Sequence, residues 1–311
     1  MRTPVLALLL ATTLLPLAAP PEAQAGPLRE RLREMRAERQ SDREQGLAAL
    51  PAGARRLADI AYGSDPAQRF DVYLPADARD APVIFMVHGG AWKIGDKEMR
   101  RVVDAKVARW VSRGFIFVST NYRMLPGAPV DVQLQDVARA LATAQQQAPG
   151  WGGDPRRFVL MGHSAGAHLV ALLGATPHYP GEPRLQPVLG TVALDSAAMD
   201  VSAIMSQRHL PLYDQPFGTD PAYWRAMSPI NALATGAAPL LSVCSTRRDD
   251  SCRQADAFAA RARQLDIRAE VLRQDLSHGE INAQLGQPGG YTEAVERFLA
   301  SLDAAIASRL H

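Results

Sequence analysis

From about residue 57 to the C-terminus, short apolar runs typical of strands alternate with longer amphipathic segments typical of helices. The segment 81–92, APVIFMVHGGAW, is apolar up to its glycines, as expected of a strand buried on both faces. The segment 69–75, RFDVYLP, alternates apolar and polar residues and ends at a proline, which predicts an edge strand. Further strands are predicted at 115–124, 157–162, 189–196, 238–245 and 267–275, and helices at 96–114, 130–153, 165–174, 252–265 and 291–306.

Strands that alternate with amphipathic helices predict a mostly parallel sheet with helices on both faces, so the fold class is α/β. Such sheets bind ligands beyond the carboxyl ends of their strands. The segment 196–235 is longer than a simple crossover and rich in proline, tyrosine and tryptophan, and we expect it to form a small cap over that edge.

The first 25 residues have the features of a secretory signal peptide. Arg2 precedes an apolar run, and Ala23-Gln24-Ala25 supplies a small-residue cleavage pattern, with cleavage expected after Ala25. We therefore predict a periplasmic or secreted protein without a stable membrane span after cleavage; an uncleaved anchor is the alternative. A charged arm is predicted over 26–56 and one α/β domain, including the cap, over 57–311.

The amino-acid composition argues against some classes of function. The 311 residues carry 34 Lys+Arg against 32 Asp+Glu, and without a basic stripe this balance argues against nucleic-acid binding. Cys244 and Cys252 are the only cysteines, and in an oxidising compartment we expect them to form a disulfide, with two buried free thiols as the alternative. Two cysteines do not make a zinc site, and no metal is predicted.

The motif Gly162-His163-Ser164-Ala165-Gly166 lies between a predicted strand and a predicted helix. In that context G-x-S-x-G forms a strained turn that raises the serine hydroxyl above the sheet, while the glycines permit close packing. Ser164 is therefore the candidate nucleophile.

A serine nucleophile requires a base, and the base requires an acid to orient it. Among seven histidines, His278 has the expected place, in a loop after the last predicted strand. The loop after the strand 238–245 offers two carboxylates, and we prefer Asp250, with Asp249 as the alternate acid. The expected disulfide would tie this loop to its strand.

Acyl transfer also needs donors for the developing oxyanion. The backbone N–H groups of Gly89 and Gly90, after the buried strand, and of Ala165, after the nucleophile, are predicted to form this oxyanion hole. Three further residues near these motifs are candidate substrate-binding residues: Trp92, Tyr122 and His163.

Several motifs together resemble one family: HGGAWKIGDK, STNYRMLP, QLQDVARAL and GDPRRFVLMGHSAGAHLV. Over about residues 57–306 the chain resembles the α/β-hydrolase superfamily, and especially carboxylesterases related to hormone-sensitive lipase and bacterial feruloyl-esterase-like hydrolases. The resemblance implies a Ser–His–Asp triad and cofactor-free ester hydrolysis through an acyl-enzyme. It also suggests that Asp136 and Tyr122 are structural residues near the site. The family's third glycine is Ala91 here, and CSTRRDD replaces the usual glycine-containing loop before the acid.

Three functions are consistent with these features. The leading prediction is a carboxylesterase acting on a small-molecule ester without a cofactor. An amidase of the kynurenine-formamidase type is the second, because HGGAW also resembles the oxyanion loop of those enzymes. A catalytically silent hydrolase fold used for binding is the third. The sequence leaves the natural substrate, the acyl-chain preference and the oligomeric state open.

Overall fold

The computed structural model describes residues 49–310, which form an eight-stranded mixed sheet covered by helices. The strands are β1 Arg55–Ala61, β2 Arg69–Leu74, β3 Ala81–Val87, β4 Ile116–Thr120, β5 Gly153–His163, β6 Gly190–Leu194, β7 Leu240–Ser245 and β8 Ala269–Gln274. Their order across the sheet is β1-β2-β4-β3-β5-β6-β7-β8. The first two pairings in this order are antiparallel and the rest are parallel, which confirms the α/β fold class.

Helices connect the strands on both faces. The longer ones are α1 Arg100–Trp110, α2 Val130–Gln147, α3 Ala165–Gly174, α8 Asp249–Arg263 and α10 Gly290–Ala300, and the shorter ones are α4 Val201–Met205, α5 Asp214–Phe217, α6 Pro221–Ala226, α7 Pro229–Ala232, α9 His278–Gln284 and α11 Ala304–Leu310. Short 3₁₀ turns occupy Val111–Arg113, Ala148–Trp151 and Pro211–Tyr213. Within residues 49–310, no helix has both the length and the apolar character that crossing a bilayer requires.

The central strands sort their side chains between two apolar layers. On β3, Val83, Phe85 and Val87 face the layer that includes α2 and α3. Ile84 and Met86 face the opposite layer, with α1, α10 and α11. This alternation follows from the two-residue period of a strand, and it explains why a strand buried on both faces is continuously apolar.

The prediction that 69–75 is an edge strand is wrong. β2 pairs with β4 on one side and with β1 on the other, so β1 is the edge. β1 gave no clear strand signal because its residues are largely half-exposed and its register shifts between Leu57 and Ile60. It also includes the last two residues of the predicted charged arm. The predicted signal peptide and the rest of the arm up to residue 48 lie outside the described residues.

The segment between β6 and β7 contains four short helices, α4 to α7, in the region predicted as a cap. It packs on the main domain through Tyr213 and Phe217, whose rings contact Trp92 at centroid distances of 6.2 and 5.0 Å. His168 of α3 joins the same contact by donating from Nε2 to the carbonyl oxygen of Met227 at 2.7 Å. The cap is thereby fastened to the strand ends where the functional motifs lie.

Candidate active site

Ser164 lies at the turn between β5 and α3 with φ 55° and ψ −117°, a strained conformation for a residue with a side chain. The flanking glycines explain how the turn is closed. A Cβ on Gly162 would lie 2.4 Å from the carbonyl oxygen of Gly166, and one on Gly166 would lie 2.2 Å from that of Val87. The Ser164 hydroxyl does not cap α3. These contacts fit the predicted nucleophile turn.

The loop after β3 lies directly against Ser164. A Cβ on Gly89 would approach the Ser164 Cβ to 2.9 Å, so only glycine permits this contact. Among the described residues, the N–H groups of Gly89, Gly90 and Ala165 donate to no protein acceptor. Ala165 also begins α3, whose positive dipole end faces the same space. The three predicted oxyanion donors therefore come together around one side chain.

Two of the predicted substrate-binding residues support this loop instead. Tyr122 is fully buried, stacks on His88 at 4.6 Å and donates from its hydroxyl to the His88 carbonyl oxygen at 3.1 Å. Trp92 is also buried and donates from Nε1 to His168 Nδ1 at 3.3 Å. Neither ring is exposed toward a substrate, because both fill the packing behind the oxyanion loop. Asp136, suggested as a structural residue, accepts hydrogen bonds from Gln68 and Arg123.

His278 is the first residue of α9, where a loop was expected. Ser277 and Glu280 form a reciprocal capping box that starts the helix. The His278 Nδ1–H donates to Asp195 Oδ2 at 2.6 Å. Asp195 directly follows β6, and the preceding residue, Leu194, accepts the backbone N–H of Ser164 at 2.9 Å. The serine and this carboxylate thus follow the adjacent strands β5 and β6, and His278 reaches the carboxylate from the start of α9.

The structure places Asp195, and not the predicted Asp250 or Asp249, in contact with His278. The Asp250 carboxylate lies 3.3 Å from Arg248 Nε and is about one-third exposed, while Asp249 is the exposed first residue of α8. Both follow β7, whereas the carboxylate that reaches His278 follows β6. The sequence carried a signal for Asp195, since it ends the predicted buried strand 189–196. Asp250 was preferred instead because it lies two residues before Cys252 of the expected disulfide.

Asp195 is held as an anion by several donors. Its Oδ1 accepts from the Ser245 backbone N–H at 2.8 Å and from the Ser251 hydroxyl, and its Oδ2 lies 2.5 Å from Arg248 Nη1. Burial raises the pKa of this carboxyl, but the hydrogen bond and charge of His278, together with the charge of Arg248, more than offset burial. The pKa of Asp195 therefore lies well below its usual range.

His163 contacts the base rather than open space. Its ring lies 4.5 Å from the His278 ring, and its Nε2–H donates to the His278 carbonyl oxygen at 3.0 Å. Burial, and next the positive charge of His278, lower the pKa of His163 well below the ordinary value. A neutral His163 thus fixes the position of His278, the first residue of α9.

The predicted disulfide is confirmed. Cys244, in β7, is bonded to Cys252, in the first turn of α8, with a Cα–Cα distance of 5.0 Å. The bridge closes the loop that contains Ser245, Arg248 and Ser251, which all contact Asp195. The bridge therefore braces the loop that contacts Asp195, whereas the predicted role was to fix Asp249 or Asp250 within that loop.

One acidic cluster among the described residues has metal-like spacing: Asp59, Asp71 and Glu98. Lys97 Nζ lies 3.0 Å from a carboxylate oxygen of each of these residues, and Arg56 pairs with Asp71 at 2.6 Å. Because side-chain cations already neutralise the cluster, it gives no support for a metal site.

The sheet, the strained serine turn and the covering helices define an α/β-hydrolase fold, and solved structures agree. Esterase B from Lactobacillus rhamnosis superposes with a TM-score of 0.72 at 19% identity, over 93% of this chain and 96% of that one. A truncated carbohydrate esterase from gut microbiota gives 0.70 at 20% identity, over 83% and 99%. At the level of families, the BD-FAE model matches residues 70–255, and the chain belongs to the BD-FAE family of this superfamily.

Curated relatives match part of the chain. Esterase LipQ of Mycobacterium tuberculosis is 30% identical over 217 residues, which is 62% of this chain and 50% of LipQ. Isoprenylcysteine alpha-carbonyl methylesterase ICME of Arabidopsis thaliana is 35% identical over 127 residues, which is 40% of this chain and 29% of that protein. The matched regions thus span half or less of these two relatives.

Proposed function

We propose that the protein is a serine hydrolase that cleaves carboxylic esters through an acyl-enzyme, with Ser164, His278 and Asp195 as its triad. The observation that carries this proposal is the 2.6 Å hydrogen bond between His278 Nδ1 and Asp195, beside a serine in a strained turn. The relatives support the reaction class, since LipQ and ICME are named as esterases. A structural relative, Thermogutta terrifontis esterase 2, is described as phosphonylated by sarin.

In the first half of the proposed reaction, the Ser164 Oγ attacks the ester carbon while His278 Nε2 takes its proton. Asp195 stabilises the resulting imidazolium, and the N–H groups of Gly89, Gly90 and Ala165 bind the oxyanion. The imidazolium then gives its proton to the departing alkoxide, which leaves as the alcohol. In the second half, His278 takes a proton from water, whose oxygen attacks the acyl carbon, and the acid leaves as Ser164 regains its proton.

Ser164→Ala tests the nucleophile. We expect this variant to lose hydrolysis of p-nitrophenyl acetate by about 10³-fold or more, because triad residues act as a unit. It should also lose labelling by a fluorophosphonate while keeping the wild-type circular dichroism spectrum. Fluorophosphonate labelling of the variant at the wild-type level would exclude Ser164 as the nucleophile.

Substrate class is tested with the wild-type chain. A panel of p-nitrophenyl esters of rising chain length, with methyl ferulate and formylkynurenine, measures kcat/KM for esters against an amide. We expect turnover of short esters to exceed that of formylkynurenine. The reverse order would indicate an amidase, and no turnover of any panel member would favour a binding protein.

We further propose that the chain is exported and acts in an oxidising compartment. The signal-like first 25 residues and the Cys244–Cys252 disulfide support this proposal, because such bridges persist outside the reducing cytosol. Expression of the full chain in a bacterium, followed by fractionation and mass determination, should give an extracytoplasmic product that begins at Gly26. A full-length product that stays in the cytoplasm would contradict it.

A further inference from the structure

Arg248 occupies an unusual place between the acid and the base. Its Nη1 lies 2.5 Å from Asp195 Oδ2 and 2.7 Å from His278 Nδ1, and its side chain is only 13% exposed. The hydrogen bond between His278 and Asp195 uses that same carboxylate oxygen. The guanidinium and the imidazole therefore share one acceptor atom.

The hydrogen-bonding roles of Arg248, Asp195 and His278 determine how the guanidinium acts on the imidazole. A guanidinium only donates, and Nδ1 also donates when it bonds to Asp195, so the two nitrogens cannot bond to each other at the same time. Arg248 is held near His278 by the carboxylate that both contact. A permanent positive charge so close to the ring opposes the addition of a second positive charge there.

Other charged or titratable groups also lie around His278. His163 of β5 is neutral, and the Asp195 carboxylate is shared between Arg248 and His278. On the far side of the guanidinium, Asp250 of α8 lies 3.3 Å from Arg248 Nε and offsets part of its charge. Two further groups couple to these neighbours: the charge of Lys106 of α1 adds to the lowering of the His163 pKa by burial, and burial and the charge of Asp195 raise the pKa of Tyr291 of α10.

Building on the proposed function, we propose that Arg248 is a positioning residue that disfavours protonation of His278 and so keeps the esterase active at lower pH. It acts through the shared carboxylate and needs no contact with substrate. The acid limb of the pH–rate profile, where the base becomes protonated, is the property that Arg248 sets.

Arg248→Gln removes the charge and keeps a donor for Asp195. We expect the acid limb of kcat/KM for p-nitrophenyl acetate, followed between about pH 4 and pH 9, to move upward by about one pH unit. Arg248→Lys keeps a cation and should restore most of the shift. Arg273→Gln is the matched control, because the exposed Arg273 pairs with the exposed Asp256 and contacts no triad residue, and its profile should match wild type.

Asp250→Asn provides an independent test of the role of Arg248 if Arg248→Gln folds poorly. Removing the carboxylate that offsets Arg248 should move the acid limb downward, opposite to Arg248→Gln. Titration with a fluorophosphonate counts active sites in every variant, so partial misfolding changes the amplitude and leaves the limb in place.

Two results would overturn the role of Arg248: an acid limb unmoved or lowered in Arg248→Gln, or one unmoved or raised in Asp250→Asn. The outcome for Ser164→Ala separates this inference from the proposed function. Full activity in Ser164→Ala would refute the proposed triad. Loss of activity in Ser164→Ala, together with an unmoved acid limb in Arg248→Gln, would refute only the inference about Arg248.

Discussion

At the scale of single residues, Asp195 combines a strained backbone with a saturated carboxylate. Its φ of 53° places it in the left-handed region, which costs a non-glycine residue about 1 kcal/mol. Its own N–H donates to the Val243 carbonyl oxygen at 2.7 Å, and donors from β7, α8 and α9 hold its side chain. A residue held this firmly can fix the tautomer of an imidazole without moving during the reaction.

The assignment of the acid predicts opposite results for two similar substitutions. Asp195→Asn should lower kcat by about 10³- to 10⁴-fold, because the amide no longer stabilises the imidazolium or fixes the required tautomer. Asp250→Asn, which removes the ion pair with Arg248 and leaves the His278–Asp195 hydrogen bond in place, should stay within about tenfold of wild type at neutral pH. Steady-state kinetics on p-nitrophenyl acetate measures both. A larger loss in Asp250→Asn than in Asp195→Asn would return the acid to the loop after β7.

Residue-level predictions from sequence succeeded where the chemistry is local. Ser164, Gly89 and Ala165 belong to short motifs whose shape is set within a few residues, and the structure brings them together. Asp195 was missed because the choice among carboxylates at strand ends depends on which one faces an imidazole from a distant helix. Tyr122 and Trp92 were misread for a related reason: an aromatic residue beside a motif is as well suited to packing as to binding.

At the scale of elements, most strands and helices were predictable because burial on both faces leaves a continuous apolar signal. β3, β4 and β5 follow this rule, and each was predicted near its observed bounds. β1 was not, because an edge strand with half-exposed residues lacks the signal. α9 was not predicted either, because its start depends on the Ser277 capping box and its packing rather than on a long amphipathic pattern.

The disulfide links two elements, β7 and α8, and its removal should affect both stability and rate. Replacing Cys244 and Cys252 by serine should lower the free energy of unfolding by about 2 to 3 kcal/mol, the value expected for a short closed loop. We also expect a lower kcat, because the Ser245 and Ser251 donors to Asp195 lose their tether. Urea unfolding and steady-state kinetics test the two effects. An unchanged unfolding midpoint and kcat would show that packing alone positions this loop.

At the scale of the whole molecule, a buried lysine connects two helices that follow distant strands. Lys106 of α1 is fully buried, and its Nζ donates to the carbonyl oxygens of Arg101 and, in α9, Asn282. α9 begins at His278. Burial lowers the pKa of Lys106 to about 7, so the folded protein binds this proton less readily than the unfolded chain does.

Because the pKa of Lys106 is lowered in the folded protein, the free energy of unfolding should depend on pH. Below about pH 7 Lys106 is charged in both states and its desolvation cost is present in full, while between there and its ordinary pKa of 10.5 the cost declines. The free energy of unfolding of wild type should therefore rise relative to Lys106→Met over this range, by at most about 1.4 kcal/mol per pH unit. Urea titrations at a series of pH values measure the difference.

The exposed Lys93, which contacts Gln215, supplies the control for this experiment. Lys93→Met should leave the pH dependence of stability parallel to that of wild type. If Lys106→Met also gives a parallel curve, the buried amine does not titrate differently in the folded state, and the prediction is wrong.

The position of the acid at the start of the cap has an evolutionary consequence. Asp195 directly follows β6, where the segment leading to α4 begins, so insertions or deletions that reshape the cap start next to a member of the proposed triad. In a protein whose acid follows β7, the cap could diverge freely while the triad stayed intact. Here, adaptation to a new substrate through the cap is constrained from its first residue by the need to preserve turnover.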